Sequence, residues 1–141
     1  MNNNNGLTNQ AVYDLFNRQL AVWQQASDNF AALANVGVKE ITVGGFPVKV
    51  QFNPARIVSS AAKVDPKTIK ERKCFLCGAN RPAIQEGLPF FGKKAEYSVL
   101  INPFPIFPKH LTVPDVNHVN QTIEGEWERF EDMLSLAETL D

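Results

Sequence analysis

Two cysteines at C-x-x-C spacing, Cys74-Phe75-Leu76-Cys77, and the chain's only two histidines, His110 and His118, are the residues with the clearest capacity for chemistry. The turn of a C-x-x-C segment brings two thiolates to one side, where they can close on a tetrahedral ion that needs two further ligands, and imidazole is their natural supplier. The same spacing also suits free buried thiols or a redox pair, although no thioredoxin-like strand–turn–helix context surrounds it. Asn102 stands at the end of an apolar run, and Arg56 follows Asn53-Pro54. Taken singly, Asn102 reads as a turn former, Arg56 as a surface residue, and either histidine as a hydrogen-bonded structural group.

Elements of two kinds must position these groups. Over residues 9–33, Val12, Phe16, Leu20, Trp23, Phe30 and Leu33 recur at helical steps between polar residues, which predicts one amphipathic helix. Thr8 or Asn9 can cap its start, and Asn35 with Gly37 suits its end. The period then changes to two over 39–43 and 47–52, with Gly44-Gly45 between them, which predicts a hairpin. Residues 55–64 form a small-residue connector without an assigned element. Asp65-Pro66 opens a short basic helix over 66–72, whose Lys67, Lys70 and Arg72 read, with Lys73, as a solvated face.

Residues 97–101 read as a strand stopped by Asn102-Pro103. Three prolines between Pro103 and Pro108 force an irregular crossing, after which 110–113 can resume as a strand. Ile123, Trp127, Phe130, Leu134, Ala137 and Leu140 mark a closing helix over 122–140. The order of helix, hairpin, strand, strand and helix is α+β. Residues 1–7, rich in asparagine, read as a disordered lead-in, and 8–141 as one domain.

Charge and composition narrow the function. A net charge of −1 from 14 basic and 15 acidic residues gives no broad cationic surface, so a nucleic-acid polymer is not expected as a partner. A local phosphate pocket remains allowed. No apolar run is long enough for a spanning helix, and the cysteine usage with no signal-peptide pattern points to the cytoplasm.

In combination these segments resemble the histidine-triad (HIT-like) superfamily, in its branch of galactose-1-phosphate uridylyltransferases and diadenosine-tetraphosphate or GDP-hexose phosphorylases. Cys74-Phe75-Leu76-Cys77-Gly78-Ala79-Asn80-Arg81 is similar to the uridylyltransferase zinc knuckle, which also begins C-F-L-C. Val99-Leu100-Ile101-Asn102-Pro103-Phe104-Pro105 resembles the strand whose terminal Asn or Asp contacts nucleotide ribose. His110 and His118 match the superfamily's histidine spacing of eight, with a proline between, and the second histidine there is commonly a zinc ligand. Phe52-Asn53-Pro54-Ala55-Arg56 is similar to a strand-Pro-x-Arg segment that reaches substrate phosphate.

The resemblance therefore implies a HIT-like antiparallel sheet with flanking helices, structural zinc on Cys74, Cys77 and His118, and nucleotide contacts from Asn102 and Arg56. It leaves open whether His110 is structural or functional. It also exposes a departure, because family members carry a later His-x-His-x-His or His-Pro-His strand whose central imidazole attacks the α-phosphate. No such strand follows His118 here.

The expectation is an N-terminal half domain, a fragment or a natural truncation, of a nucleotidyltransferase or phosphorylase acting on nucleoside diphosphate sugars or dinucleoside polyphosphates. It would be inactive alone, and its open sheet edge and apolar surface would seek a second copy or the missing C-terminal half. The alternative is a non-catalytic, zinc-stabilised module that binds a nucleotide or a protein, with Cys74, Cys77, His110 and His118 as a complete local ligand set. A plain α+β domain without metal is the blandest reading.

Overall fold

The computed structural model describes residues 6–57 and 65–140 and is α+β, with two small antiparallel sheets and flanking helices. Helix α1 spans Asn9–Val22, capped by Thr8, whose hydroxyl accepts from the Ala11 N–H at 3.1 Å. The single helix expected over 9–33 is broken at Trp23, where φ −107° and ψ 89° leave the helical region. Helix α2, Gln24–Ala31, follows, and Ala32–Asn35 tightens into a 3₁₀ turn. The break has a packing consequence. Trp23 enters the core, and Phe16 and Phe30 meet edge to face across the bend, with ring centroids 5.5 Å apart.

Strands β1 (Gly37–Val43) and β2 (Phe46–Phe52) form the expected hairpin in register Val43↔Phe46 through Gly37↔Phe52. Its turn is Gly44-Gly45 with φ 58° and 86°, the two left-handed positions that a two-residue turn of matching twist demands. After a 3₁₀ turn over Pro54–Arg56, the connector segment 58–64 lies outside the described residues, as do 1–5 and 141. Helix α3, Pro66–Glu71, starts as expected at a capping Asp65 and carries its lysines exposed.

The second sheet has order β3-β4-β5: Gly87–Phe91, Glu96–Ile101 and Leu111–Thr112, all antiparallel. β3 had no counterpart in the sequence reading. Pro89 sits within it and is tolerated because β3 is an edge strand, where a missing N–H breaks no ladder. Helix α4 spans Trp127–Thr139 and begins later than the 122 expected, because Gly125 at φ 74° turns the chain just before it. Ile123 is accordingly left 95% exposed.

The core joins α1, α2 and α4 to the β3–β4 pair through Val12, Leu15, Phe16, Trp23, Phe90, Tyr97, Val99, Ile101 and Leu136. Leu7, placed by sequence in the lead-in, is buried at 3% exposure and belongs to this core. α4 is locked by Asp132, whose buried carboxylate accepts from the Lys93 N–H (2.6 Å), the Lys94 N–H (3.1 Å) and the Tyr97 hydroxyl (2.9 Å). Burial, then the bond to Asp132, pushes the Tyr97 phenol up to about 12. No helix among the described residues is long and apolar enough to cross a membrane.

Candidate functional site

The cysteine pair lies on a tight turn between α3 and β3. The Cys77 N–H donates to the Cys74 carbonyl at 3.3 Å, and the Asn80 side-chain amide donates to the same carbonyl at 2.9 Å. Backbone N–H groups of Asn80 and Arg81 return to the Cys77 carbonyl, at 2.9 and 3.2 Å. The Asn that follows the cysteines thus has a local job, closing the knuckle that presents both sulfurs. Arg81 then reaches the sheet, donating to the Ser98 hydroxyl at 3.3 Å.

His118 arrives from the loop after β5. Its Nδ1 lies 3.2 Å from the Cys77 Sγ, and the ligand atoms of Cys74, Cys77 and His118 all fall within 4.8 Å of one another. Around a tetrahedral zinc, with sulfur near 2.3 Å and nitrogen near 2.0–2.1 Å, neighbouring ligand atoms stand about 3.3–3.8 Å apart, so the three need only small adjustments, the Cys77–His118 pair opening slightly and any wider separation closing. Their chemistry suits the ion as well, since two soft sulfurs and one imidazole form a common zinc donor set. Both cysteines are free thiols. Hydrogen bonding from the Leu76 backbone, outweighing partial burial and helped by Cys77 and His118, brings the Cys74 thiol down to about 7. The hydrogen bond to Cys74 pushes Cys77 up.

His110 stands apart from this group. Its ring lies 4.5 Å, centroid to centroid, from that of Phe107, and its Nδ1 accepts from the Ile106 N–H at 3.3 Å, which leaves Nε2 to carry the proton in the neutral ring. The four-residue set with both histidines is therefore not assembled among the described residues. Burial, with a contribution from the Arg56 charge, holds His110 below its usual 6.5. Lys109, just before it, takes φ 58° and sets its ammonium 3.9 Å from the centre of the Tyr13 ring.

Arg56 comes to the same end of the molecule on the 3₁₀ turn after β2, where its buried Nε has no hydrogen-bond partner among the described residues. Asn102 is half-buried and already engaged. Its amide donates to the Thr112 hydroxyl at 3.0 Å, and its carbonyl oxygen accepts from the Phe104 N–H at 2.8 Å. Its backbone N–H pairs with the His110 carbonyl at 2.9 Å. The turn-forming role and a backbone bond to His110 thus coexist in one residue.

Gln19 has a role that its sequence context alone does not announce. Fully buried on α1, it donates to the Ile84 carbonyl at 2.9 Å and accepts from the Glu86 N–H at 3.1 Å, fastening the segment between knuckle and β3 to the helix. The signal available was a polar residue among the inward positions Val12, Leu15 and Phe16 of an amphipathic helix.

Comparison with curated proteins finds no match, and neither does comparison with solved structures. The family model described as Domain of unknown function (DUF4922) matches residues 15–141, which takes in the knuckle, the proline-rich crossing and both histidines, and the chain belongs to that family.

Proposed function

We propose that this chain is the zinc-knuckle part of a HIT-like nucleotidyltransferase or phosphorylase that acts on nucleoside diphosphate sugars or dinucleoside polyphosphates. The observation that carries the reading is the convergence of Cys74 and Cys77 with His118, which lies 41 residues beyond Cys77 in sequence, in a donor set suited to zinc. The ion in this reading is structural. It ties the loop after β5 to the turn before β3 and so fixes the frame from which Asn102 and His110 project.

Arg56 is the phosphate contact in this proposal. A guanidinium whose Nε is buried without a partner among the described residues retains a donor for an anionic oxygen. Asn102 is the ribose contact, through the remaining lone pair of its carbonyl oxygen, with the Thr112 and Phe104 bonds holding the amide still. No residue is assigned as nucleophile, and the chain alone is expected not to turn substrate over.

A non-catalytic zinc-stabilised binding module is the competing reading, favoured by a three-ligand set that assembles without any catalytic histidine. Zinc content of the purified chain, measured alongside binding of a nucleoside diphosphate sugar to wild type and Arg56→Ala, tests both. About one zinc per chain with sugar-nucleotide binding lost in Arg56→Ala supports a nucleotide site at Arg56, as the transferase reading requires, and excludes a module that binds protein alone. Zinc without such binding favours the module, and a chain without zinc overturns both.

A further inference from the structure

The β1–β2 hairpin is exposed on both faces, yet its two faces differ. In the observed register, Val43 pairs with Phe46, Ile41 with Val48, Lys39 with Val50 and Gly37 with Phe52, so Ile41, Val43, Phe46, Val48, Val50 and Phe52 share one side. The opposite side is mixed, with Val38 and Pro47 among Glu40, Thr42, Lys49 and Gln51. Phe46 and Phe52, the largest members of the apolar side, are 73% and 67% exposed. A two-stranded sheet with an open apolar face is marginal in water.

We infer that this face is a dimer interface, on which the hairpin of a second copy of the chain packs face to face. Area supports that occupant. Taking a large apolar side chain to present about 150–250 Å², the exposed fractions of the six residues sum to roughly 600 Å². Complete burial of two such faces removes at most about 1,200 Å² from water, which reaches the lower bound of a specific interface. The face is also self-complementary. It bears one charge, Lys39 on β1, whose stem can lie over apolar surface with its ammonium at the rim.

The geometry disfavours strand addition at the β2 edge. In a two-residue hairpin the closing pair Val43↔Phe46 is hydrogen-bonded, so Thr42↔Pro47 is a non-bonded pair and position 47 points its backbone outward from the sheet. Proline there has no N–H to offer. An added strand or extended peptide would meet a gap at this point of the β2 edge. The root of the hairpin is fastened by Gln51, whose amide donates to the Ile106 carbonyl at 2.8 Å, and this leaves the apolar side projecting. A symmetric dimer would thereby be joined at the element that leads into Arg56.

The inference stands apart from the zinc and nucleotide reading, and its test involves neither. Sedimentation of the full chain from about 1 to about 100 μM should show a monomer–dimer equilibrium with a dissociation constant on the order of micromolar. Val48→Lys places a second charge in the face and should weaken association roughly 100-fold. Thr42→Lys on the opposite side should leave it unchanged. In wild type, amide exchange within 37–52 should slow as protein concentration rises, a readout that holds even if the lysine variant disorders the hairpin. A concentration-independent monomer, self-association equal in wild type and Val48→Lys, or a hairpin whose exchange ignores concentration would each overturn the inference. Capture of a different protein by a monomeric chain would do the same.

Discussion

The two sheets are built from similar sequence and end in opposite environments. β2, Phe-Pro-Val-Lys-Val-Gln-Phe, alternates more regularly than β4, Glu-Tyr-Ser-Val-Leu-Ile, yet every residue of β2 is exposed while four of the six in β4 are buried. The difference lies in what reaches each sheet. α1 packs on β3 and β4, and α4 docks there through Asp132 and Leu136, whereas the hairpin touches the body mainly at its root. Alternation therefore identifies a strand and its apolar side, but not whether anything fills that side.

Stability measurements can break this contrast. Phe90→Ala, at a fully buried position of β3, should cost about 4 kcal/mol in a urea titration, as cavity-forming core truncations do. Val48→Ala under dilute, monomeric conditions should cost less than about 1 kcal/mol. Equal losses would mean that the hairpin is covered in the monomer after all.

The docking of α4 onto the second sheet is the next largest effect. Asp132→Ala strands two backbone N–H groups and the Tyr97 hydroxyl in a buried site, an expected loss of about 3 kcal/mol. Gly92→Ala tests the same contact from the other side, because a Cβ there would lie 2.2 Å from the Asp132 carboxyl carbon. Its melting temperature should fall as well, and retention of the wild-type value would show that α4 docks by apolar contact alone.

The knuckle sits beside the filled sheet, so metal should strengthen that region and leave the hairpin untouched. Cys77→Ser should lower stability by about 2 kcal/mol in zinc-containing buffer, since ligand binding to the native state alone is folding free energy. Adding a chelator should bring wild type down to the variant. A chelator-insensitive wild type would count against zinc.

The smallest effect lies where the two regions meet. His110 has its folded pKa held below 6.5 by burial and by Arg56, so in acid the unfolded state binds its proton first. Stability from this group is present above pH 6.5 and declines as pH falls from 6.5 towards the lower folded value. His110→Gln should flatten the pH dependence of stability in that window, and Arg56→Gln should flatten it in part. A slope unchanged in both would place the titration elsewhere.

Much of the fold was legible because it depends on local chemistry. Thr8 and Asp65 cap helices by side-chain bonds to N–H groups three residues away, and Gly44-Gly45 selects its turn through allowed dihedral angles. The elements misread were those settled by distant contacts. β3 carries a glycine and a proline that argue against a strand, and only pairing with β4 makes it one. Trp23 fits a continuous helix by period, and the core decides that the helix bends there.

The candidate site divides in the same way. The sequence by itself determined the knuckle, since two cysteines three positions apart must share a turn, and it determined that Asn102 ends a strand before a proline-rich crossing. The family resemblance already pointed to His118 as the third ligand, and the tertiary structure brings it to the cysteines and leaves His110 apart. The two histidines flank one short strand and turn with nothing local to distinguish them, so their roles follow from which distant segment each meets: the knuckle for His118, Ile106 and Phe107 with Arg56 nearby for His110.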